Sequence, residues 1–279
     1  MDTTHPDSLH SISAATLGAS LGGAKTSCIV DVRKAPAYDT AEFTLPGALR
    51  CAPDQVGGIL DRMRGKRVVT CCVHGHEVSQ KAAQVLRQGG IDAVFLAGGI
   101  EGWRDAGLPT MRKLADCAIP AIAGKPGRWI TRERPKIDRI ACPWLIRRFI
   151  DPDAIFAYVP ADQVTQRAAA DAAIPYDVPD VRFSHRGDAC SFDAFIADFN
   201  LRDASLDALA TIVRGADTGQ VGLTPQSAGL LAISLGLSVN YVDDHAMLEQ
   251  GMVVYDALYA WLKSAGNEVH NADLFKKKP

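Results

Sequence analysis

The sequence lacks long hydrophobic runs and any marked excess of charge of one sign. No segment approaches the roughly 18 consecutive apolar residues of a membrane helix. The most apolar stretch, residues 228–239, is broken by glycine and serine and is better interpreted as a buried helix. The formal net charge is −2, from 30 Lys and Arg against 32 Asp and Glu. Because binding to nucleic acid needs clustered cations, we expect neither a nucleic-acid partner nor a membrane partner.

The cysteines show no pattern of a disulfide framework or of a zinc ribbon. There are 7 of them, an odd number, and no two are spaced as a Cys-x-x-Cys pair, which argues against a thioredoxin-type motif. The first residues also contain no basic region followed by an apolar run, so we expect no signal peptide. Free thiols and a cytoplasmic location are therefore predicted.

The first part of the chain alternates strand and helix patterns. With 279 residues and roughly 100–150 residues per domain, two domains are expected. Compact β-branched runs predict strands at 28–32, 67–72 and 93–96, and the apolar spacing of 79–88 predicts a helix. This alternation predicts an α/β domain over residues 1–112, with a parallel sheet flanked by helices.

A change in composition then marks a linker and a second domain. Residues 113–127 are punctuated by proline and glycine and predict a linker. Residues 128–279 predict a mainly helical α+β domain. Its predicted elements are a helix that carries an apolar stripe from Ile137 and ends near Asp151, short strands at 155–159 and 181–184, a helix capped by Thr224, and a long helix capped by Asp243.

One segment of the first domain carries nucleophile chemistry. Cys71 and Cys72 end a predicted strand, and a short loop with His74, Gly75 and His76 leads from them to a helix. Inward-pointing loop amides and the helix dipole would stabilise a thiolate, which is the nucleophilic form of cysteine, or a bound anion. The alternative is that both cysteines are small buried hydrophobic residues at the end of a strand.

The order of motifs in residues 8–112 resembles the rhodanese (sulfurtransferase) superfamily. The matching motifs are Asp31-Val32-Arg33, Pro46-Gly47-Ala48, Gly98-Gly99 followed by Trp103, and Gly107-Leu108-Pro109. The resemblance implies that Cys72 is the catalytic residue and becomes a persulfide. The substrate-binding residues that it implies are Arg33, Val73, His74, Gly75, His76, Glu77 and Val78. It also implies a small sulfur donor such as thiosulfate, a thiol or cyanide acceptor, and no required cofactor.

Two departures from that superfamily bear on the reaction. The loop after Cys72 is one residue longer than in most sulfurtransferases, as in relatives that act on phosphate or arsenate. Those relatives close the loop with arginine, whereas Val78 stands here. A phosphatase is therefore disfavoured, because no guanidinium would meet the oxyanion. The histidine that usually precedes the Pro-Gly-Ala turn is also absent, since Thr44 and Leu45 precede Pro46.

Possible metal ligands are scattered through the second domain without a standard spacing. We predict that His185, Asp138 and Asp217 converge on one polar pocket, with Arg139 or Arg147 nearby. Such a pocket would hold either a divalent metal through His and carboxylates or an oxyanion such as chromate through arginine. The alternative is that the three residues have only local roles in capping and turns.

Residues 128–264 resemble the C-terminal domain of the ChrB-type chromate-resistance proteins. The matching stretches are 129–132, 136–151, 183–192, 213–217 and 228–232. The family is linked to chromate resistance and chromate-responsive regulation. The two resemblances together predict a thiosulfate sulfurtransferase-like enzyme associated with chromate resistance or with oxidative or sulfur stress. The alternative is a chromate- or metal-responsive sensor in which the rhodanese-like domain is a thiol redox module.

Overall fold

The computed structural model describes residues 10–23, 26–114 and 126–266. In chain order, the strands of the first half are β1 (Ser11–Ile12), β2 (Cys28–Asp31), β3 (Phe43–Thr44), β4 (Leu49–Arg50), β5 (Arg67–Cys71), β6 (Asp92–Leu96) and β7 (Met111–Arg112). Its helices are α1 (Ala14–Ser20), α2 (Ala35–Asp39), a 3₁₀ helix at Pro53–Ile59, α3 (Leu60–Met63), α4 (Glu77–Gln88) and α5 (Gly99–Asp105).

A five-stranded parallel sheet organises this half, with the strand order β1-β6-β5-β2-β4. Its central strands are apolar runs buried on both faces, as is usual when helices cover a parallel sheet. β3 and β7 form a separate antiparallel pair. The predicted α/β class and the strands expected at 28–32, 67–72 and 93–96 are confirmed. The helix expected at 79–88 begins two residues earlier, at Glu77.

The second half is built around a small parallel sheet and a group of helices. Its strands are β8 (Arg128–Arg132), β9 (Ile155–Val159) and β10 (Ile174–Pro175), in the order β10-β8-β9. Its helices are α6 (Asp138–Leu145) with a π-helical continuation at Ile146–Ile150, α7 (Val164–Asp171), α8 (Ser191–Phe199), α9 (Ala204–Asp217), α10 (Pro225–Asn240) and α11 (Asp244–Ala260) with a π-helical continuation at Trp261–Ala265. The predicted caps Thr224 and Asp243 accept hydrogen bonds from the backbone N–H groups of Ser227 and Ala246.

The prediction of a strand at 181–184 is wrong. In this segment, Phe183 forms only an isolated bridge with Tyr176. Asp177 and Asp180 have positive φ angles of 52° and 61°, so the chain turns repeatedly instead of running beside a neighbour. The apolar Phe183 that suggested a strand is buried for another reason: its ring stacks on Phe195 of α8, with 4.2 Å between the ring centroids.

The two halves share a hydrophobic core. A single cluster of buried side chains includes Leu17 and Trp103 from the first half and Trp144 and Phe149 from the second. Lys263 donates hydrogen bonds to three carbonyl groups at the end of α1, each at 3.0 Å. Residues 115–125 of the predicted linker lie outside the described residues, and the domain boundaries at 112 and 128 stay a prediction. No helix of the described segments is long and apolar enough to cross a membrane.

Candidate functional site

The topology places Cys72 at the carboxyl end of a central strand. β5 lies between β2 and β6, and Cys72 is the first residue after it. Successive side chains of a strand point to opposite faces. Accordingly, Cys71 packs in the core that both halves share, whereas Cys72 packs with Ala82 and Ala83 of α4. Cys72 is 6% exposed and Cys71 is 1% exposed.

The loop after Cys72 is fixed by the start of α5. The carbonyl groups of Cys72 and Val73 accept hydrogen bonds from the backbone N–H groups of Ile100 (2.9 Å) and Glu101 (3.1 Å). Gly75 has a φ of +73°, and a Cβ there would lie 2.5 Å from the Leu96 carbonyl oxygen. The loop can therefore approach α5 this closely only because residue 75 has no side chain.

The thiol of Cys72 faces the beginning of α4. Its Sγ lies 3.1 Å from Ser79 Oγ, which is also 3.2 Å from the His76 carbonyl oxygen. Because α4 begins at Glu77, its first N–H groups have no partner within the helix and present the positive end of the dipole. Burial raises the pKa of the neighbouring Cys71 thiol well above its usual value.

The other substrate-binding residues expected in this half fall into two groups. Val73 to His76 form the loop between the thiol and α4, whereas Glu77 and Val78 are the first residues of α4. His74, His76 and Glu77 are exposed. The rings of the two histidines lie 5.9 Å apart. Arg33, in contrast, is buried, and its guanidinium donates to the Asp31 carboxylate and to the Phe43 carbonyl group. The role of Arg33 in substrate binding stays a prediction.

A second constellation lies in the other half, where three of the predicted residues meet. His185 Nε2 lies 3.7 Å from Asp138 Oδ2 and 3.3 Å from Asp217 Oδ2. Asp138 opens α6, His185 lies in the turn before α8, and Asp217 ends α9. Arg139 lies beside this group, whereas Arg147 pairs with Glu249 at 2.7 Å.

Sequence reasoning missed a fourth member, Asp177. His185 Nε2 lies 3.3 Å from Asp177 Oδ1, and Arg132 and Arg139 lie 3.1 and 3.3 Å from Asp177 Oδ2. The position of Asp177 just beyond β10 is the one feature of the sequence that could have indicated it, because the carboxyl ends of neighbouring parallel strands lie at the same edge of a sheet. Arg132 ends the adjacent strand β8. We call Asp138, Asp177, His185 and Asp217 the His–Asp cluster.

Burial and mutual repulsion set the electrostatics of the His–Asp cluster. Asp138 is 1% exposed. Burial first, and then the charges of Asp217 and Asp177, raise its pKa well above the usual value. The pKa of Asp217 is raised by burial and by Asp177, and His185 opposes the shift. Asp138 does not cap its own helix; it accepts from the backbone N–H groups of Ser191 (2.6 Å) and Phe192 (3.0 Å) at the start of α8.

Comparisons with known proteins find two separate family matches along the chain. Residues 13–106 match the family model of the rhodanese-like domain. Residues 129–262 match the family model described as ChrB, C-terminal domain. The chain is 35% identical over 138 residues to Protein ChrB of Cupriavidus metallidurans, a match that covers 49% of this chain and 41% of that protein. The chain therefore spans less than half the length of this relative.

Several crystal structures are similar to the first half. A rhodanese-like domain protein from Staphylococcus aureus is 32% identical and aligns over 36% of this chain and 95% of its own, with a TM-score of 0.32. A thiosulfate sulfurtransferase from Pseudomonas aeruginosa is 25% identical over 36% of this chain and 19% of its own, also with a TM-score of 0.32. The two family matches alone lead to the conclusion that the chain contains a rhodanese-like domain at residues 13–106, followed by a ChrB C-terminal domain at residues 129–262.

Proposed function

We propose that the rhodanese-like domain is a sulfurtransferase that carries sulfur as a persulfide on Cys72. The observation that carries this proposal is the placement of the Cys72 sulfur at the end of β5, 3.1 Å from Ser79 Oγ and facing the first turn of α4. A thiolate is the nucleophile in such reactions, and a helix N-terminus favours it over the thiol.

The proposed reaction has two displacement steps. In the first, the Cys72 thiolate attacks the outer sulfur of thiosulfate, a new S–S bond forms, and sulfite leaves with the electron pair of the broken S–S bond. In the second, an acceptor thiolate or cyanide attacks the outer sulfur of the persulfide, and Cys72 leaves as a thiolate. No electrons are gained or lost overall, so the cycle needs no cofactor.

Ser79 and the loop have distinct parts in this cycle. The Ser79 hydroxyl can turn from the His76 carbonyl oxygen and donate to the Cys72 thiolate, since both lie within about one hydrogen-bond length of it. The exposed His74 and His76 lie in the loop that follows Cys72, where their ring nitrogens could donate hydrogen bonds to an anionic donor molecule. The loop contains no arginine, which favours a sulfur donor over a phosphate ester.

Intact-mass spectrometry after incubation with thiosulfate tests the proposal. The wild-type chain should gain the mass of one sulfur atom, and a thiol should remove it again. Cys72→Ser should show no gain, whereas Cys71→Ser is the matched control and should behave as wild type, because its side chain lies on the other face of the sheet. Equal labelling of wild type and Cys72→Ser would refute the proposal.

The similarity of the second half to Protein ChrB favours a second candidate function. The family resemblance suggests a role in chromate resistance, and we propose as the alternative that the chain is a chromate- or metal-responsive regulator with Cys72 as a redox-sensitive thiol. Calorimetric titration with chromate separates the two. Binding by Cys72→Ser, together with a lack of persulfide formation in the wild type, would favour the regulator.

A further inference from the structure

We propose that the His–Asp cluster binds one divalent first-row transition-metal ion, of the class of Zn²⁺ or Mn²⁺. The cluster unites side chains from four separate segments of the second half. This inference is independent of the proposed sulfur transfer, which takes place on Cys72 in the other half of the chain.

The spacing of the donor atoms matches a coordination shell. One ligand atom each from Asp138, Asp177 and His185 lies within 4.8 Å of the others. His185 Nε2 lies 3.3 Å from oxygens of Asp177 and Asp217 and 3.7 Å from Asp138 Oδ2. Ligands bound at about 2.1 Å around a tetrahedral ion lie about 3.4 Å from one another. An ion therefore needs only small side-chain adjustments to reach Asp138, Asp177 and His185, and Asp217 Oδ2 lies 3.3 Å from the same imidazole nitrogen.

Each buried carboxylate is already oriented by groups that would form an outer shell. The Oδ2 of Asp177 pairs with the guanidinium groups of Arg132 and Arg139. Its Oδ1 accepts a hydrogen bond from Ser191 Oγ at 2.9 Å and faces His185. Asp138 is held by the two amides at the start of α8. Metal ligands commonly have such hydrogen-bonded supports, which fix their direction.

The composition of the cluster, one imidazole and three carboxyl groups, favours a cation over an anion. His185 is a single imidazole, and its Nε2 lies within 3.7 Å of oxygens of three carboxyl groups, those of Asp138, Asp177 and Asp217. An oxyanion at the same place would meet those carboxylates, and the two nearby guanidinium groups are taken by Asp177. A divalent cation relieves the repulsion, whereas an anion adds to it.

The chemistry of the donors selects the class of ion. One imidazole and three carboxylates form a mixed nitrogen and oxygen set, which suits Zn²⁺, Mn²⁺ or Fe²⁺. The adjacent Cys142 is a hydrogen-bond donor here, with its Sγ 3.6 Å from Asp138 Oδ1. A thiol that donates to a carboxylate is not a thiolate ligand, so a copper(I) site, which requires soft ligands, does not fit.

Calorimetric titration of the full chain tests the proposal after chelator treatment, with Zn²⁺ and Mn²⁺ in separate experiments. We expect one ion per chain for at least one of the two metals. His185→Ala and Asp177→Asn should weaken binding by more than the roughly 10–100-fold that loss of an outer-shell partner costs. Ser191→Ala, which removes one support of Asp177, should fall within that smaller range.

Two matched variants control for nonspecific effects. His245→Ala removes another exposed histidine of the same half, and Asp188→Asn removes an exposed carboxylate three residues beyond His185; both should bind as the wild type does. His185 is 42% exposed, so His185→Ala should fold, which circular dichroism verifies. Persulfide formation by His185→Ala should be unchanged, which separates this test from that of sulfur transfer.

Two results would overturn the proposal. One is an absence of binding of both metals by the chelator-treated wild type. The other is equal metal affinity in the wild type, His185→Ala and Asp177→Asn, which would mean that the ion sits elsewhere. In either case, the cluster would only support the fold through the contacts among its side chains.

Discussion

The substitution Gly75→Ala tests the close approach of the Cys72 loop to α5. A methyl group at this position would lie 2.5 Å from the Leu96 carbonyl oxygen and 2.8 Å from the backbone nitrogens of Gly98 and Gly99. All three are backbone atoms, so they cannot move aside by changing a rotamer. The residue would also have to hold a φ of +73°, which L-residues with side chains resist.

Two costs determine the expected destabilisation. The left-handed backbone costs alanine about 1–2 kcal/mol, and overpacking costs about 1–3 kcal/mol more. Alanine recovers part of this through the lower entropy of the unfolded chain, about 0.4–1 kcal/mol. We therefore expect Gly75→Ala to lower the free energy of unfolding by about 1–5 kcal/mol, with a central value of about 3 kcal/mol. Since relief of the contact must displace the loop, persulfide formation should slow on the order of a hundredfold.

Gly65→Ala is the matched control for this test. Gly65 has nearly the same φ, +74°, but an added Cβ would meet nothing within 4 Å. It should lose only about 1 kcal/mol and leave sulfur transfer unchanged. Urea denaturation followed by circular dichroism gives the stabilities, and intact-mass kinetics give the rates. Equal destabilisation of the two variants, or an undisturbed rate in Gly75→Ala, would refute the close contact as the reason for glycine.

Two other features give predictions of their own. Burial raises the pKa of Asp151 to about 6 from the ordinary 3.8. Because the folded state therefore binds this proton more tightly than the unfolded state, the carboxyl group contributes about 3 kcal/mol more to the free energy of unfolding below pH 4 than above pH 6. Urea denaturation of Asp151→Asn across that pH range should show a weaker loss of stability as the pH rises, and a pH dependence identical to that of the wild type would contradict the assignment. Limited proteolysis within residues 113–127 should give two fragments that co-elute in gel filtration and separate only in denaturant, because the two halves share a core and the Lys263 contacts. Fragments that separate without denaturant would show that each half is stable without the shared core.

Local patterns are sufficient to predict the three central strands of the sheet of the first half, but not its two short edge strands, β1 and β4. β2, β5 and β6 are short β-branched runs bounded by turns, and burial on both faces leaves them few alternatives. The segment around Phe183 shows the limit of this reasoning. Its apolar residue is buried through stacking on α8, a long-range contact, whereas the local backbone is determined by left-handed residues at Asp177 and Asp180.

The same limit applies to the His–Asp cluster. Asp138, His185 and Asp217 were grouped because their segments carry recognisable motifs, and the structure places them together. Asp177 has no such motif, and it reaches the cluster because β10 pairs with β8 in parallel, so that Asp177 follows one strand and Arg132 ends the next. Strand pairing is a tertiary property, and two residues of β10 carry too little pattern to predict it.

A helix N-terminus lies at each of the two candidate sites, yet we propose opposite chemistry for them. At α8, the amides of Ser191 and Phe192 donate to the carboxyl group of Asp138, whose Oδ2 also faces His185. At α4, the first turn faces the sulfur of Cys72. Among the described residues, no carboxylate accepts a hydrogen bond from the backbone N–H groups of this turn. When a carboxyl group of the chain already accepts the hydrogen bonds of a helix N-terminus, a cation can bind to that carboxyl group. A helix N-terminus that faces a thiol instead favours a thiolate and an anionic donor. This difference is the physical reason for assigning metal binding to the second half and sulfur transfer to the first.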